Sequence, residues 1–435
     1  MFLMKFKKVF PVIVIVFFAL IPIVRWFFLD PLSLRFFDLN SSMTSLGQIT
    51  GLLGMMLFSI NLILSNRSIF FDKIFSGLHI FYNHHKWLGA ISFSLLLFHP
   101  LFLVVKYLAV SVNSAAMFLL PNGNFAITMG IIALLGMIVL LMITLYFKIK
   151  YHIWRFSHKF MVAVFVFAIL HTLLISSDIS RDLIIRYYIL IFALLGLLSG
   201  VYRSFFRIFF NKDFEFKVVK VDILNNNVAE IEIEPISQKM EFHPGQFVFI
   251  RFVGVGISSE PHPFSIASFT GDTNLKIVVK ALGDYTSTIN SLIPGTIAKV
   301  EGPFGSFYKS INSNKKEIWI AGGVGITPFL SMARSIGNIG YNIDLYYCLK
   351  NKEEAVLLNE LNSISFSNSK IRVLPWYSET QGYINGDIIE KRSNGLQNTD
   401  IYICGPLSFM RILQGQFVSK GVDKNNIHFE EFNFL

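Results

Sequence analysis

"HKWLGAISFSLLLFH", His85 to His99, puts an imidazole at each end of a run with no charge between Trp87 and Phe98. A helix rises about 1.5 Å per residue, so fourteen residues separate the two rings by about 20 Å along its axis. Fourteen steps of about 100° also bring the second ring to within about 40° of the first one's face. A second segment, "SHKFMVAVFVFAILH", carries His158 and His171, thirteen residues apart. Thirteen steps leave an ideal helix about 140° off, so this segment is expected to contain a winding defect or to hold its ligands offset. Ionisable groups inside a membrane are costly and mark function. Imidazole nitrogen is an axial ligand of haem iron. Two histidines at two levels on each of two spans therefore fit two stacked haems. His85 pairs with His158 at an inner level, and His99 pairs with His171 at an outer one. Isolated histidines near helix ends more often bond a neighbour or reach the interface, and His79, His84 and His152 read that way. Phe93 and Phe165 fall midway between the levels, either between haems or as ordinary apolar packing.

The surrounding sequence is that of a membrane protein. Of 435 residues 53% are hydrophobic, 46 are Phe and only 15% are charged, against about 25% charged in soluble domains. Six apolar segments, at 9–29, 46–65, 87–109, 125–147, 157–177 and 183–203, each approach the roughly 20 residues that span a bilayer. Lys5, Lys7 and Lys8 precede the first span. Arg67, Lys73 and Lys86 lie between the second and third, and Lys148, Lys150, Arg155 and Lys159 between the fourth and fifth. Arg203, Arg207 and Lys212 follow the sixth. The opposite loops are poorer in Lys and Arg, which places both termini in the cytoplasm, in a plasma membrane. The net charge of +10 is absorbed by these loops, and no nucleic-acid partner is expected. The basic start and apolar run of 1–30 also suit a signal peptide. The length of the run and the lack of a small-residue cleavage site favour a retained helix. Cys348 and Cys404 are the two cysteines, too few for a disulfide framework or a zinc site.

Near residue 205 the pattern changes. "FEFKVVKVDIL", "NVAEIEIEPI", "GQFVFIRF" and "NLKIVVKAL" read as strands of a small antiparallel barrel. From about 316, "EIWIAGG", "NIDLYYCLK", "KIRVLPWYS" and "TDIYICG" are short apolar strands separated by helical stretches, the pattern of a parallel α/β sheet. In the barrel, "HPFS" (262–265) offers Phe264 to pack on a flavin and Ser265 to bond its ring. "KALGDYT" adds Lys280, Gly283 and Thr286 as charge, close approach and donor for a pyrophosphate. "IWIAGGVGITPF" ends a strand in Gly322, Gly323 and Gly325, then opens a helix at Thr327 and Pro328. That turn lets a nucleotide phosphate approach a helix N-terminus, or is a plain tight turn. "CGP", Cys404 to Pro406, repeats the strand-end theme. Lys350 and Lys352 are placed either to meet a 2′-phosphate or as exposed loop lysines.

These motifs, in this order, resemble the NADPH oxidase and ferric reductase family over nearly the whole of its catalytic core. The resemblance implies a multidomain membrane protein: a six-helix transmembrane bundle followed by a ferredoxin-reductase-like module. It divides the chain into a haem-binding transmembrane domain at 1–205, an FAD-binding antiparallel β-barrel at 213–312 and an NAD(P)H-binding α/β domain at 313–435. It implies FAD, two b-type haems and NADPH or NADH as cofactors. His262, Pro263, Phe264 and Ser265 become the flavin stretch, Gly322 to Pro328 the nucleotide turn, and Cys404, Gly405 and Pro406 the wall beside the nicotinamide. The ending "IHFEEFNFL" resembles that of flavohaemoglobins, which implies Phe432, with Phe434 second, as the aromatic covering the flavin. The implied activity is electron transfer from cytosolic NAD(P)H to an outer acceptor, either dioxygen giving superoxide or a ferric or cupric chelate. Leu103 stands where some animal oxidases carry a further histidine. Arg35, Arg181 and Arg186 are placed to attract an anion or to sit solvated in outer loops. A channel with a regulatory nucleotide domain is the rival class, which the flavin stretch disfavours.

Overall fold

The computed structural model describes residues 2–66, 69–75, 78–121, 123–147, 149, 151–206, 213–254, 258, 260–307, 316–336 and 342–430. The chain divides into two compact units, one of residues 1–71 with 80–211 and one of residues 72–79 with 212–435.

The first unit is helical. Its long helices are α1 (Phe2–Phe27), α2 (Leu39–Ile63), α3 (Leu78–Leu108), α4 (Phe125–Leu145), a pair α5 (Tyr151–His158) and α6 (Met161–Leu174), and α7 (Leu183–Val201). Polar caps start three of them. Asp38 accepts from the Ser41 amide at 2.7 Å, Asn124 from that of Ile127 at 3.2 Å, and Asp182 from that of Ile185 at 2.8 Å. Each satisfies an amide that the first helical turn leaves without a partner. Among the described residues, six stretches are long and apolar enough to cross a membrane: Val9–Phe27, Leu39–Ile63, Ile80–Leu108, Phe125–Leu145, Ile153–Leu174 and Leu183–Phe206. The third begins earlier than its hydropathy suggested, so His85 lies within the helix.

The fifth span is not one regular helix. Between α5 and α6 the amides of Lys159, Phe160 and Val162 bond carbonyls three residues back, at 3.0–3.1 Å. Such a turn winds about 120° per residue rather than about 100°. The added rotation is in the direction that thirteen residues lack, and it falls between His158 and His171, as their spacing requires.

The second unit holds two sheets. Six antiparallel strands, β1 (Phe214–Asn225), β2 (Val228–Pro235), β3 (Phe247–Val253), β4 (His262–Ser265), β5 (Leu275–Lys280) and β6 (Ile297–Phe304), lie in the order β4-β3-β6-β1-β2-β5. Alternate residues such as Phe216, Ile231, Phe252, Ile277 and Val300 fill the interior. Next come five parallel strands: β7 (Lys316–Gly322), β8 (Ile343–Leu349), β9 (Ile371–Tyr377), β10 (Thr399–Cys404) and β11 (Ile427–Glu430). Their order is β11-β10-β7-β8-β9. Helices α8 (Thr327–Ser335) and α9 (Leu407–Ser419) follow β7 and β10. Ile318, Ile320, Ile401 and Ile403 pack on one face, and Trp319, Ala321, Tyr402 and Cys404 on the other. Burial on both faces explains why these strands read as unbroken apolar runs. The order reverses between β7 and β10, and ligands of open α/β sheets bind at such a reversal, outside the carboxyl ends of the strands.

Candidate functional site

The four long-spaced histidines meet in two pairs. The ring centres of His85 and His158 are 6.4 Å apart, and those of His99 and His171 are 6.1 Å apart. Two imidazoles sharing one metal atom, each nitrogen about 2 Å from it, stand about 6 Å apart between ring centres. Among the described residues no group of three or more His, Cys, Asp or Glu is arranged to hold a bare ion. A metal that brings its own equatorial ligands needs only the two. Phe165, wholly buried, meets Phe58 edge-on at 4.7 Å. By position in the chain that contact falls between the two levels.

Backbone carbonyls orient the rings. His99 Nδ1 lies 2.7 Å from the Gly47 carbonyl, His171 Nδ1 lies 2.8 Å from that of Ala126, and His85 Nδ1 lies 3.2 Å from that of Asn61. Donation from Nδ1–H leaves the Nε2 lone pair free for a metal. Glycine clears the way. A Cβ on Gly51 would lie 2.8 Å from His99 Nδ1, and one on Gly130 would lie 2.7 Å from His171 Nδ1. Sequence reading missed Gly47, Gly51, Asn61, Ala126 and Gly130. The available signal was the run of glycines at 47, 51 and 54, the spacing that lets membrane helices approach closely. The His85–His158 pair carries orphaned polar atoms. His158 Nδ1 and Asn61 Oδ1 are buried without a hydrogen-bond partner among the described residues. The residues present therefore fit bis-imidazole haem sites.

In the second unit the two glycine motifs meet. Cys404 is in register with Ala321 on the neighbouring strand. A Cβ on Gly405 would lie 3.1 Å from Gly322 Cα, and one on Gly325 only 2.4 Å from the Cys404 carbonyl oxygen. Gly323 has φ +57° and open space where a Cβ would be. Thr327 donates to the Val324 carbonyl at 2.8 Å, and Pro328 sits in the first turn of α8. The turn thus exposes backbone amides at the start of a helix, a site for anionic phosphate. Lys280, Gly323, Asn227, Tyr347 and Glu354 line one cavity. Lys280 pairs there with Glu354 at 3.0 Å. Lys350 pairs with Glu379 at 3.4 Å and remains largely exposed.

On β4, strand alternation divides "HPFS". Phe264, in register with Val248, packs in the barrel core. Its ring points into the barrel, while His262, Pro263 and Ser265 are half-buried. His262 stacks on Tyr285, ring centres 3.7 Å apart and planes 18° from parallel. Burial pushes the Tyr285 hydroxyl up to about 12, so it stays protonated. Thr286 Oγ1 accepts from the Leu282 and Gly283 amides at 2.8 and 3.0 Å, which fixes the turn. Phe432 and Phe434 lie outside the described residues.

Cys404 is buried beside Glu430, its register partner on β11. Burial, and then the Glu430 charge, raise its thiol far above ordinary, so it is not a nucleophile. Glu430 is itself pushed well above the carboxylate range by burial and by Asp72, whose Oδ2 accepts from the Gly305 amide at 3.2 Å. A raised folded-state pKa stabilises the fold in full below about pH 4 and is lost as pH climbs through the raised value. In thermal unfolding followed by tryptophan fluorescence, Glu430→Gln is expected to flatten the loss of stability above about pH 4 by roughly 3 °C per pH unit. Parallel wild-type and variant curves would contradict this.

Arg35 is buried among its partners, whereas Arg181 is paired but 59% exposed. Arg35 is 6% exposed, bonds Asp178 at 2.8 Å, pairs with Asp30 at 3.2 Å and lies 3.8 Å over the Trp26 ring. Arg181 pairs with Asp30 at 2.8 Å, and Arg25 with Asp182 at 2.7 Å. Of the two readings for these arginines, Arg181 keeps that of an exposed loop charge, while Arg35 is instead part of a buried ion pair.

Three domain families match in chain order. Residues 50–169 match the ferric reductase like transmembrane component, residues 213–321 an FAD-binding domain and residues 319–415 an oxidoreductase NAD-binding domain. Flavohemoprotein A of Dictyostelium discoideum is 37% identical over 137 residues, 31% of this chain and 34% of that protein. The electron transfer component of toluate 1,2-dioxygenase of Pseudomonas putida is 26% identical over 231 residues, 50% of this chain and 67% of that protein. Flavohemoprotein B of Dictyostelium discoideum is likewise matched over only 52% of its length, so the chain spans about a third to a half of these two flavohemoproteins. Among solved structures, flavohemoglobin from Malassezia yamatoensis aligns over 80% of this chain and 97% of its own at 17% identity, TM-score 0.48. A ferredoxin NADP+ reductase from Neisseria gonorrhoeae aligns over 51% and 98% at 18% identity, TM-score 0.43.

Proposed function

Because the chain has the NADPH oxidase and ferric reductase-like architecture, we propose that it is a membrane NAD(P)H oxidase. Electrons from cytosolic NADPH or NADH cross the bilayer to dioxygen on the outer side, giving superoxide. The barrel takes FAD, and two b-type haems sit between α3 and the α5–α6 pair. The observation that carries this reading is the equal spacing of the two imidazole pairs, 6.4 and 6.1 Å. FAD, when bound, takes an electron pair as hydride and releases electrons singly, and haem iron carries them one at a time.

The chain's own residues bind, orient and insulate. His85 and His158 hold the inner iron, His99 and His171 the outer, and the apolar spans keep water from the route. Gly322, Gly323, Gly325 and Thr327 form the phosphate turn, with Pro328 setting the helix start. Gly405 and Pro406 close the strand end, and Cys404 packs beside the nicotinamide as a neutral thiol. His262, Pro263 and Ser265 face the flavin with Lys280, Gly283 and Thr286, and Phe432 covers it. Lys350 exchanges Glu379 for the 2′-phosphate of NADPH.

Dioxygen is favoured over an anionic metal chelate because Asp30 and Asp178 already neutralise Arg35 and Arg181. The second reading, a ferric or cupric chelate reductase, draws on Leu103, which offers no polar group one turn beyond His99. Purified protein reduced anaerobically with NADPH and then mixed with oxygen or ferric chelate separates them. The oxidase reading expects haem absorbance, reoxidation by oxygen and dye reduction that superoxide dismutase abolishes. Fast chelate-driven reoxidation with dismutase-insensitive dye reduction would establish the reductase, and a purified protein without haem bands would remove the haem assignment altogether.

A further inference from the structure

We propose that Glu379 selects the electron donor, and that it selects NADH over NADPH. This rests on the nucleotide-site reading above and names the dinucleotide that the site prefers. Strands β7, β8 and β9 are neighbours in the parallel sheet. Neighbouring strands stand about 4.8 Å apart, so the chain just past β9 lies about 10 Å along the carboxyl edge from the phosphate turn after β7. That is the reach of an adenosine ribose from its pyrophosphate. Glu379 belongs to the single turn Ser378–Gln381 that follows β9. Its amide donates to the carbonyl of Lys350, just past β8, at 3.1 Å, which fixes it beside that strand end.

The edge is close to neutral. Lys280, Lys350 and Lys352 are matched in number by Glu353, Glu354 and Glu379. A 2′-phosphate brings close to two negative charges at neutral pH and calls for a surplus of cations, and these six side chains supply none. Glu354 is already engaged, with one oxygen accepting from Lys280 Nζ and the other from the Lys350 amide, both at 3.0 Å. It therefore holds the turn after β8. Glu379 is half-exposed, with its Oε1 3.4 Å from Lys350 Nζ. An ionised carboxylate only accepts hydrogen bonds, so it matches the 2′- and 3′-hydroxyls of NADH and repels a phosphate. NADPH binds by drawing Lys350 off Glu379, and the carboxylate is then left uncompensated beside the phosphate. An exposed ion pair holds its partners weakly, so the exchange is open to NADPH, at a disadvantage. One negative charge beside a phosphate at such a water-exposed site is worth about tenfold in affinity.

Calorimetric titration of the purified holoprotein with NAD+ and NADP+ tests this, alongside flavin-to-dye turnover on NADH and NADPH. The wild type is expected to bind NAD+ about tenfold more tightly than NADP+, and to favour NADH in kcat/KM by a similar factor through KM. Glu379→Gln should close the gap by tightening NADP+ about tenfold. Adding Lys350→Gln to that variant should cancel the gain, because the cation that meets the phosphate is then gone. Both side chains are exposed at the sheet edge, so neither change disturbs the core. The proposal fails if the wild type prefers NADPH, if Glu379→Gln leaves the NADP+ affinity and the kcat/KM ratio unmoved, or if the double variant keeps the gain. Flavin reduced by neither nucleotide would sink the nucleotide-site reading itself, a separate outcome.

Discussion

Replacing His99 with leucine is expected to halve the haem content of the purified protein and to lower electron delivery to the outer acceptor at least about 100-fold. NADPH-driven reduction of a soluble dye at the flavin should continue. Leucine keeps the span apolar and helical, so the change removes a ligand without a polar penalty. Loss of one of the two imidazoles would leave His171 as a single ligand where two residues would hold the haem. The Gly47 carbonyl then loses the imidazole but keeps its helical amide and the Thr50 hydroxyl at 3.0 Å, so the helix itself has no reason to unwind. His171→Leu should match it, because the two rings stand 6.1 Å apart about one point. Full haem content together with undiminished transmembrane electron flow in either variant would show that these histidines are not ligands. The contrast between dye reduction and outer delivery separates a broken route from a misfolded reductase.

The imidazole pairs were legible because their setting is apolar. A histidine among Leu, Phe and Val stands out, and the thirteen-residue spacing demanded an irregular turn that the amides of Lys159, Phe160 and Val162 supply. The strand-end glycines were legible for a similar reason, since Gly is rare inside the apolar strands it follows. The groups that orient the rings had no letter of their own. Every residue carries a carbonyl, so nothing in the sequence marks Gly47, Ala126 or Asn61 as the acceptors. Long-range charge pairing was equally hidden. Arg35 and Asp178 are far apart in the chain, and neither loop alone shows that the arginine is balanced. The burial of Phe264 was not legible because "HPFS" gives no phase for so short a strand. Pairing with β3 decides the face, and it turned the ring into the barrel.

Gly325→Ala should prove as damaging at the other end of the route. The Cβ of alanine would lie 2.4 Å from the Cys404 carbonyl oxygen, 2.6 Å from its carbon and 2.9 Å from the Gly405 nitrogen. All three are backbone atoms at the end of a strand paired on both sides, so no side chain can swing away. The turn must move off the end of β10, and a shift of about 1 Å at such a site can cost about 100-fold in rate. Anaerobic bleaching of the flavin by NADPH is therefore expected to slow by at least about 100-fold, while haem content and reduction of the haems by dithionite stay at the wild-type level. Gly323→Ala is the built-in comparison. Its φ of +57° disfavours alanine by about 1–2 kcal/mol, but no atom lies within 4 Å of the new Cβ. It should slow flavin reduction far less than Gly325→Ala does. If the two alanines behaved alike, or if Gly325→Ala reduced flavin at the wild-type rate, close contact between the turn and the Cys404 strand end would not be what shapes the nucleotide site.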